Sequence, residues 1–290
     1  MTKTTVVICS ANRPEILEET VADLFLQSVG QVNILISAPD LESVPLSLRS
    51  NPQVEVIVSV TRGLCFQRNA AVAKVSTPYM AFIDDDVELV PNFIEAMEGL
   101  FDSDSSVVLS TAHVIADGVT SQTGIDRGRA RQMLSSFKPT PAVDYHEAYG
   151  CNMFVRTEIA KKTRFDEALP LYGWLEDLDF SIRCQKLGRL VLNNQTGLVH
   201  MGTTRGRTSD VRLGYSQIAN PYYIWKKTSK PGIGWLIFTQ WIRYTGVNLT
   251  YFLLFWIKRR GDRVGRLRGN AKALLDLVLG KMHPRRILAL

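Results

Sequence analysis

Tyr79-Met80-Ala81-Phe82-Ile83-Asp84-Asp85-Asp86-Val87 runs five largely apolar residues straight into three aspartates. A short, uninterrupted apolar run with no polar alternation reads as a strand buried on both faces. Three adjacent carboxylates at the end of such a strand repel one another, so the arrangement is costly without a compensating cation. Hard oxygen ligands suit Mg2+ or Mn2+, which commonly complete their coordination with phosphate oxygens. The same residues also read as a solvated acidic turn before a helix, where carboxylates favour the N-terminal dipole.

Upstream, residues 6–9 form a second apolar, β-branched run that ends at Ser10-Ala11-Asn12-Arg13-Pro14. Ile16, Leu17, Val21, Leu24 and Phe25 then recur at helical spacing. Residues 32–36 and 54–58 read as strands and 63–75 as a helix. Strands alternating with helices predict an α/β fold with a parallel sheet flanked by helices. Ligands of such sheets bind at the carboxyl ends of the strands, where Ser10–Arg13 and the three aspartates would both lie. Downstream the spacing predicts a helix over 93–101, a strand over 107–112 and a strand over 152–155. Helices near 157–163 and 175–187 and a strand over 190–192 follow. Residues 117–143 are polar and weakly periodic and read as a mobile loop.

The chain has 290 residues, 46% hydrophobic and 21% charged, enough for a large core and unlike a disordered chain. Its net charge of +6 is unevenly placed. From Lys226 onward there are 14 basic residues against Asp262 and Asp276, so the rest of the chain is net negative. Within this basic tail, residues 233–257 are mostly apolar and carry Trp235, Trp241, Tyr244, Tyr251 and Trp256. Gln240, Arg243 and Asn248 interrupt the run, and an Arg at mid-bilayer costs at least about 2.5 kcal/mol. Helices lying in a membrane interface, aromatics at headgroup depth and basic groups on anionic lipid, fit better than a span. The aromatics cluster in one apolar run and are not spread among the charges, which disfavours a nucleic-acid groove. Cys9, Cys65, Cys151 and Cys184 form no CxxC pair, and Met1-Thr2-Lys3 leads directly into a strand; both point to a reduced, cytosolic setting.

A second acidic group lies in Gly173-Trp174-Leu175-Glu176-Asp177-Leu178-Asp179-Phe180-Ser181-Ile182-Arg183. An Asp in the first turn of a helix at a pocket mouth can serve as a general base, or can simply pair within its helix with Arg183. Beyond these local readings, an ordered set of short motifs spans roughly residues 4–202. It comprises Ser10-Ala11-Asn12-Arg13-Pro14, Gln27-Ser28, Gly63 with Arg68-Asn69-Ala70-Ala71, and Phe82-Ile83-Asp84-Asp85-Asp86. It continues with Gly150-Cys151-Asn152-Met153, Phe165-Asp166-Glu167, Glu176-Asp177-Leu178-Asp179-Phe180 and Val199-His200-Met201-Gly202. In this set the chain resembles family 2 glycosyltransferases of the GT-A fold.

That resemblance implies a mixed, Rossmann-like sheet and an inverting transfer of one sugar from a UDP- or dTDP-sugar to an acceptor. It implies that Asp84 holds the donor ribose and assists a Mn2+ or Mg2+ ion, that Asp86 binds that ion, and that Asp85 belongs to the same donor site. Ser10, Asn12, Arg13 and Arg68 would line the nucleotide pocket. Asp177 would be the catalytic base and Glu176 would position acceptor or loop, with Asn152 and Trp174 on the acceptor side. His200 is either a packed strand end or a further metal ligand, and Arg205 and Arg207 are either a solvated basic loop or a diphosphate clamp. The family's acidic pair after the second strand is replaced here by Ser37-Ala38-Pro39-Asp40, leaving Asp40 to reach the base from an altered register. Gln240-Trp241-Ile242-Arg243 resembles the motif of processive synthases but sits in the tail.

The expected organisation is a catalytic domain over 1–212, its nucleotide-binding half about 1–115 and its acceptor half about 116–212. A helical, membrane-associating extension over 213–290 follows. The expected setting is the cytoplasmic face of the cell membrane, with a lipid-linked or other saccharide acceptor, an anionic membrane surface and no nucleic acid as partners; oligomeric state is not legible. The competing functions are a nucleic-acid-binding protein using the basic tail and a metal-dependent phosphohydrolase with Asp84 as nucleophile. Its acidic strand belongs near the start of its fold, whereas here three strand–helix elements come first.

Overall fold

The computed structural model describes residues 2–121, 123–203, 209–228, 233–253 and 263–290. In order the elements are β1 (Thr4–Cys9), α1 (Pro14–Leu24), β2 (Asn33–Ala38), α2 (Leu46–Arg49), β3 (Val54–Val58), α3 (Leu64–Lys74) and β4 (Tyr79–Ile83). There follow β5 (Val87–Leu89), α4 (Phe93–Ser103), β6 (Val107–Asp117), α5 (Arg127–Ser135), β7 (Val143–Asp144), β8 (Asn152–Arg156), α6 (Thr157–Thr163), α7 (Glu176–Cys184) and β9 (Arg189–His200). Helices α8 (Asp210–Thr228), α9 (Ile233–Leu253) and α10 (Arg263–Val278) close the chain.

The strands form one sheet in the order β3-β2-β1-β4-β8-β6-β9-β5, with β7 pairing β9. β3, β2, β1 and β4 are parallel, as the alternating pattern predicts; β8 then inserts antiparallel between β4 and β6. That reversal is the mixed, curled sheet of the GT-A fold. Val6, Ile8, Ile34, Ile36, Ala81 and Ile83 alternate onto one face and pack with Leu17, Val21 and Leu24 of α1 in the main core.

Register brings the functional ends together. Ile83 of β4 pairs with Asn152 of β8, so Asp84 donates its N–H to the Cys151 carbonyl at 3.2 Å. Val87 of β5 pairs with His200 of β9, and Asp117 of β6 also faces His200. β6 and β9 run 11 and 12 residues, well past the strands their periodicity predicts, because bulges at Ala112/His113 and Val114/Ala116 break the alternation.

The stretch 117–143, expected as a mobile loop, contains α5 instead. This helix has only a one-turn apolar edge, Ala130, Met133 and Leu134, packed by Val199 and Met201, and Arg127 and Arg131 hold it to Asp23 and Glu88 by ion pairs. Periodicity misses so short an apolar edge in an otherwise polar stretch.

The chain divides into two units, Met1–Phe165 with Asp177–Gly206, and Asp166–Glu176 with Arg207–Leu290. The division falls a few residues before the expected boundary and moves the segment preceding α7 into the second unit. Asp166 explains that move, since its carboxylate accepts from Tyr223 and from Lys227 of α8 at 2.9 and 2.6 Å. Within the second unit α8 and α10 cross at backbone contact: a Cβ on Gly214 would lie 2.1 Å from the Arg266 carbonyl. Asn270 donates to the Gly214 carbonyl and accepts from Asn248, a buried polar seam. Trp241 and Tyr244, counted above toward an interfacial aromatic belt, are engaged inside the unit. Trp241 donates to the Ile218 carbonyl at 3.0 Å, and Tyr244 meets Trp174 edge-on at 5.9 Å. No helix among the described residues is long and apolar enough to cross a membrane.

Candidate active site

The three aspartates do not act alike. Asp85 is fully buried, accepts from Ser10 Oγ, and is paired with Arg13 at 2.7 Å. Burial raises its pKa to about 7 against the pull of Arg13. Asp85 thus turns onto the loop after β1 and fixes it. Ser10 is spent the same way, being buried and donating to Asp85. Asn12 sits in the left-handed region at φ 59 at the exposed apex of that loop, its N–H on Ser43 Oγ. Asp40 lies beyond the end of β2, where it caps a short turn through Ser43 and faces Arg62 at 3.2 Å.

Asp84 and Asp86 point elsewhere, toward His200. The imidazole Nε2 lies 3.3 Å from Asp86 and 3.9 Å from Asp84, while Nδ1 lies 3.1 Å from Asp117. Asp117 thereby fixes the ring and leaves Nε2 for the acidic pair, the usual support of a metal-binding histidine. Burial disfavours the imidazolium, but Asp117, Asp86 and Asp84 together outweigh it and push the His200 pKa up to about 10. Burial likewise works to raise Asp86, yet His200 and Arg13 hold it well below the usual carboxylate range. Burial lifts Asp84 despite Arg68 and His200.

One carboxylate oxygen from each Asp and one His nitrogen lie within 4.8 Å of one another, so the three residues can hold a divalent cation. The packing that sets this up continues past β9. Gly202 takes φ 68, and a Cβ there would lie 2.2 Å from the Val119 nitrogen. Only glycine allows that turn, which lets Thr203 donate through both N–H and Oγ1 to Asp86 at 2.8 and 2.9 Å.

The Arg68-Asn69 step of α3 ties this centre to the second acidic group. Asn69 and Phe165 exchange hydrogen bonds through the Asn side chain, and Arg68 lies over the Phe165 ring at 5.1 Å. The buried Arg68 guanidinium donates to the Gly150 carbonyl at 2.8 Å and stands 3.7 Å from Asp84. Asp177 approaches the same turn, accepting from the Gly150 N–H at 2.9 Å and from the Leu178 N–H at 2.9 Å. Burial raises its pKa, opposed by those N–H groups and Arg68. Asp84, through its backbone N–H, and Asp177, through its carboxylate, thus both bond to one backbone turn, Gly150-Cys151.

The family is decided by sequence once this geometry is in place: the glycosyl transferase family 2 model matches residues 5–164, more than half of the chain. The chain belongs to glycosyl transferase family 2. Among solved structures this family 2 glycosyltransferase is similar in fold to GalNAc-T7 with UDP, GalNAc and Mn2+, at TM-score 0.54 and 16% identity, over 71% of this chain and 45% of that one. It is similar also to S. aureus TarS 1–349, at TM-score 0.53 and 15% identity, over 78% and 66% of the two chains. The TarS 1–349 complex with UDP-GlcNAc gives TM-score 0.52 and 14% identity, over 78% and 67%. The chain thus spans under half of GalNAc-T7 and about two thirds of TarS 1–349 as solved. No curated protein matches the chain.

Several expected residues have other partners or belong to the second unit. Asn152 is fully buried and turned onto β6, accepting from Thr111 and from the Ala112 N–H, so it braces the sheet and does not face an open acceptor side. Trp174 and Glu176 belong to the second unit. The backbone there turns through Leu171, Gly173 and Leu175 at φ 58, 67 and 67, a strained entry to α7. Asp179 pairs with Arg183 at 2.7 Å inside its own helix. Arg205 and Arg207 lie outside the described residues. The sequence reading missed Asp117 and Glu147, which sit in and beside the polar stretch read as a loop.

Proposed function

We propose that this chain is an inverting glycosyltransferase that moves one sugar from a nucleoside diphosphate donor to the hydroxyl of a saccharide acceptor. The observation that carries the reading is the shared turn at Gly150-Cys151, against which both the Asp84 side of the acidic centre and Asp177 are set. Asp84, Asp86 and His200 fit a Mn2+ or Mg2+ ion, and the nitrogen donor in the set favours Mn2+ over Mg2+. When bound, the ion supplies positive charge that stabilises the departing nucleoside diphosphate. Arg13 and Arg68 add fixed positive charge on the donor side. As the acceptor oxygen bonds to the anomeric carbon and the bond to the diphosphate breaks, the acceptor proton passes to Asp177. The raised pKa of that carboxyl makes it a stronger base than an ordinary aspartate. GalNAc-T7 and TarS, solved with UDP or a UDP-sugar, support a uridine donor. Family membership sets aside a phosphohydrolase with Asp84 as nucleophile.

The reading also puts the acceptor at the cytoplasmic membrane surface; exposed Leu275 and Val278 on α10 and Leu279 just after it, near Lys272 and Lys281 in the basic tail, support contact with an anionic membrane. The experiment has two parts. Asp177→Asn should lower transfer by about a thousandfold or more while UDP binding with Mn2+, followed by thermal shift, is retained. Transfer at the wild-type rate would remove Asp177 from its role. Full-length protein should sediment with anionic vesicles and not bind oligonucleotides; the reverse would overturn the membrane placement.

A further inference from the structure

A cleft of about 460 Å³ opens on the first unit between β6 and the segment that follows β7. Tyr145, Glu147 and Tyr149 form one side and Thr111, His113 and Leu192 the other. The volume lies within the range of small-molecule sites. Its position is fixed by the same segment that carries the Gly150 turn: Ala148 donates to Ser181 of α7, and Gly150 donates to Asp177 one turn earlier in that helix. Glu147 is thus laid alongside the N-terminal half of α7, next to the proposed base. At the other end, the Tyr149 hydroxyl donates to Asp117 at 2.7 Å, and its ring meets the His200 ring edge-on at 6.0 Å. The lining segment is thus tied to the Asp177 helix at one end and, through Tyr149, to Asp117 and His200 at the other, and no residue assigned from the sequence lines the cleft.

Its chemistry is selective. Tyr145 and Tyr149 are 40% and 36% exposed and line the cleft, so each presents part of an aromatic ring to it. Aromatic rings stack on the apolar C–H faces of a pyranose, and a carboxylate accepts from its hydroxyls. Neither Lys nor Arg lines the cleft, and Glu147 adds an acid. A phosphate or uronate would find no guanidinium or ammonium to pair with, only the His113 imidazole and hydroxyl groups, and would meet the Glu147 carboxyl.

We propose that this cleft is the acceptor subsite and that it takes an uncharged pyranoside, stacked on Tyr145 and Tyr149, with Glu147 holding hydroxyls beside the one that reacts. The inference rests on the transfer reading above. Burial together with the charge of Asp177 raises the Glu147 pKa to about 7, so its carboxyl can both donate and accept near neutral pH.

Saturation-transfer NMR on the full chain tests this with methyl β-glucopyranoside, methyl N-acetyl-β-glucosaminide and methyl β-glucuronide, alongside UDP with Mn2+ as the donor-site control. The neutral glycosides should bind, and the glucuronide should bind about tenfold more weakly. Tyr145→Ala should weaken the neutral glycosides about five- to tenfold, and Tyr145→Phe, which keeps the stacking face, should restore them. Glu147→Gln should erase the discrimination against the glucuronide, an effect that a merely structural role for Glu147 would not produce. If UDP binds but the neutral glycosides do not, or bind equally to Tyr145→Ala, the subsite is overturned and the transfer reading stands. If the glycosides bind as described while UDP does not, the subsite stands as a saccharide site and the transfer reading falls.

Discussion

Two acidic clusters lie on the same unit, one residue apart in sequence, and the chain treats them in opposite ways. Glu88 and Asp23 are met by Arg127 and Arg131, with Arg131 2.7 Å from Glu88 and 2.9 Å from Asp23. Asp84 and Asp86 face cations only loosely: Arg68 at 3.7 Å, Arg13 at 3.5 Å, and His200 at 3.9 and 3.3 Å. Asp85 between them is closed off at 2.7 Å by Arg13. Density of carboxylates therefore does not distinguish a site from a strut. What distinguishes them is whether the compensating charge is built into the chain at contact distance or left to be supplied.

The largest effect expected from that contrast is at Asp84. Asp84→Asn should lower transfer by about a thousandfold and yet raise Tm at pH 8. Burial raises the pKa of this carboxyl, so its charged form costs stability as pH climbs past its ordinary value. A fall in both activity and Tm would make Asp84 a strut like Glu88. The strut should behave the other way. Arg127→Ala leaves Glu88 and Asp23 with one guanidinium in place of two and should cost about 3 kcal/mol, read as a Tm loss of roughly 6–10 °C, with little change in activity per folded molecule. If Glu88→Leu combined with Arg127→Met is as stable as wild type, the pair fixes position more than it stabilises.

A smaller effect concerns the proton that fills the open cluster. His200 carries a pKa of about 10, so a cation taking Nε2 must displace a proton. Mn2+ affinity, followed by electron paramagnetic resonance, should rise with pH by up to about tenfold per unit between pH 6 and 8, and Asp117→Asn should weaken it about tenfold or more. A flat profile would take His200 out of the ligand set. The smallest effect is at Glu147, whose carboxyl is raised from 4.5 to about 7 by burial and by Asp177. The folded chain holds that proton more tightly than the unfolded one, so the cost is absent below about pH 4.5 and complete above about pH 7. Glu147→Gln should therefore raise Tm by a few degrees at pH 8.5 and leave it unchanged at pH 4, by calorimetry.

The two clusters also show what was legible beforehand. Asp84-Asp85-Asp86 announced itself because three carboxylates after an apolar strand need an explanation from local sequence alone. The Glu88 cluster is assembled from α1, β5 and α5, whose residues lie far apart in sequence, and no local pattern marks them. The same limit hid α5 itself: its apolar edge is a single turn, Ala130, Met133 and Leu134, and its ion pairs reach residues distant in sequence.

Local periodicity and strand-end chemistry settled the α/β class, the parallel first half of the sheet, the ordered motifs and the identity of the acidic centre. Those features depend on neighbours within a few residues along the chain. The division of labour among the three aspartates, the turning of Ser10 and Asn152 inward, the backing of His200 by Asp117 and the cleft beside Asp177 were decided only in the folded molecule. Behind them, strand register joins residues 69 to 113 positions apart, and register is fixed by the packing of the whole sheet.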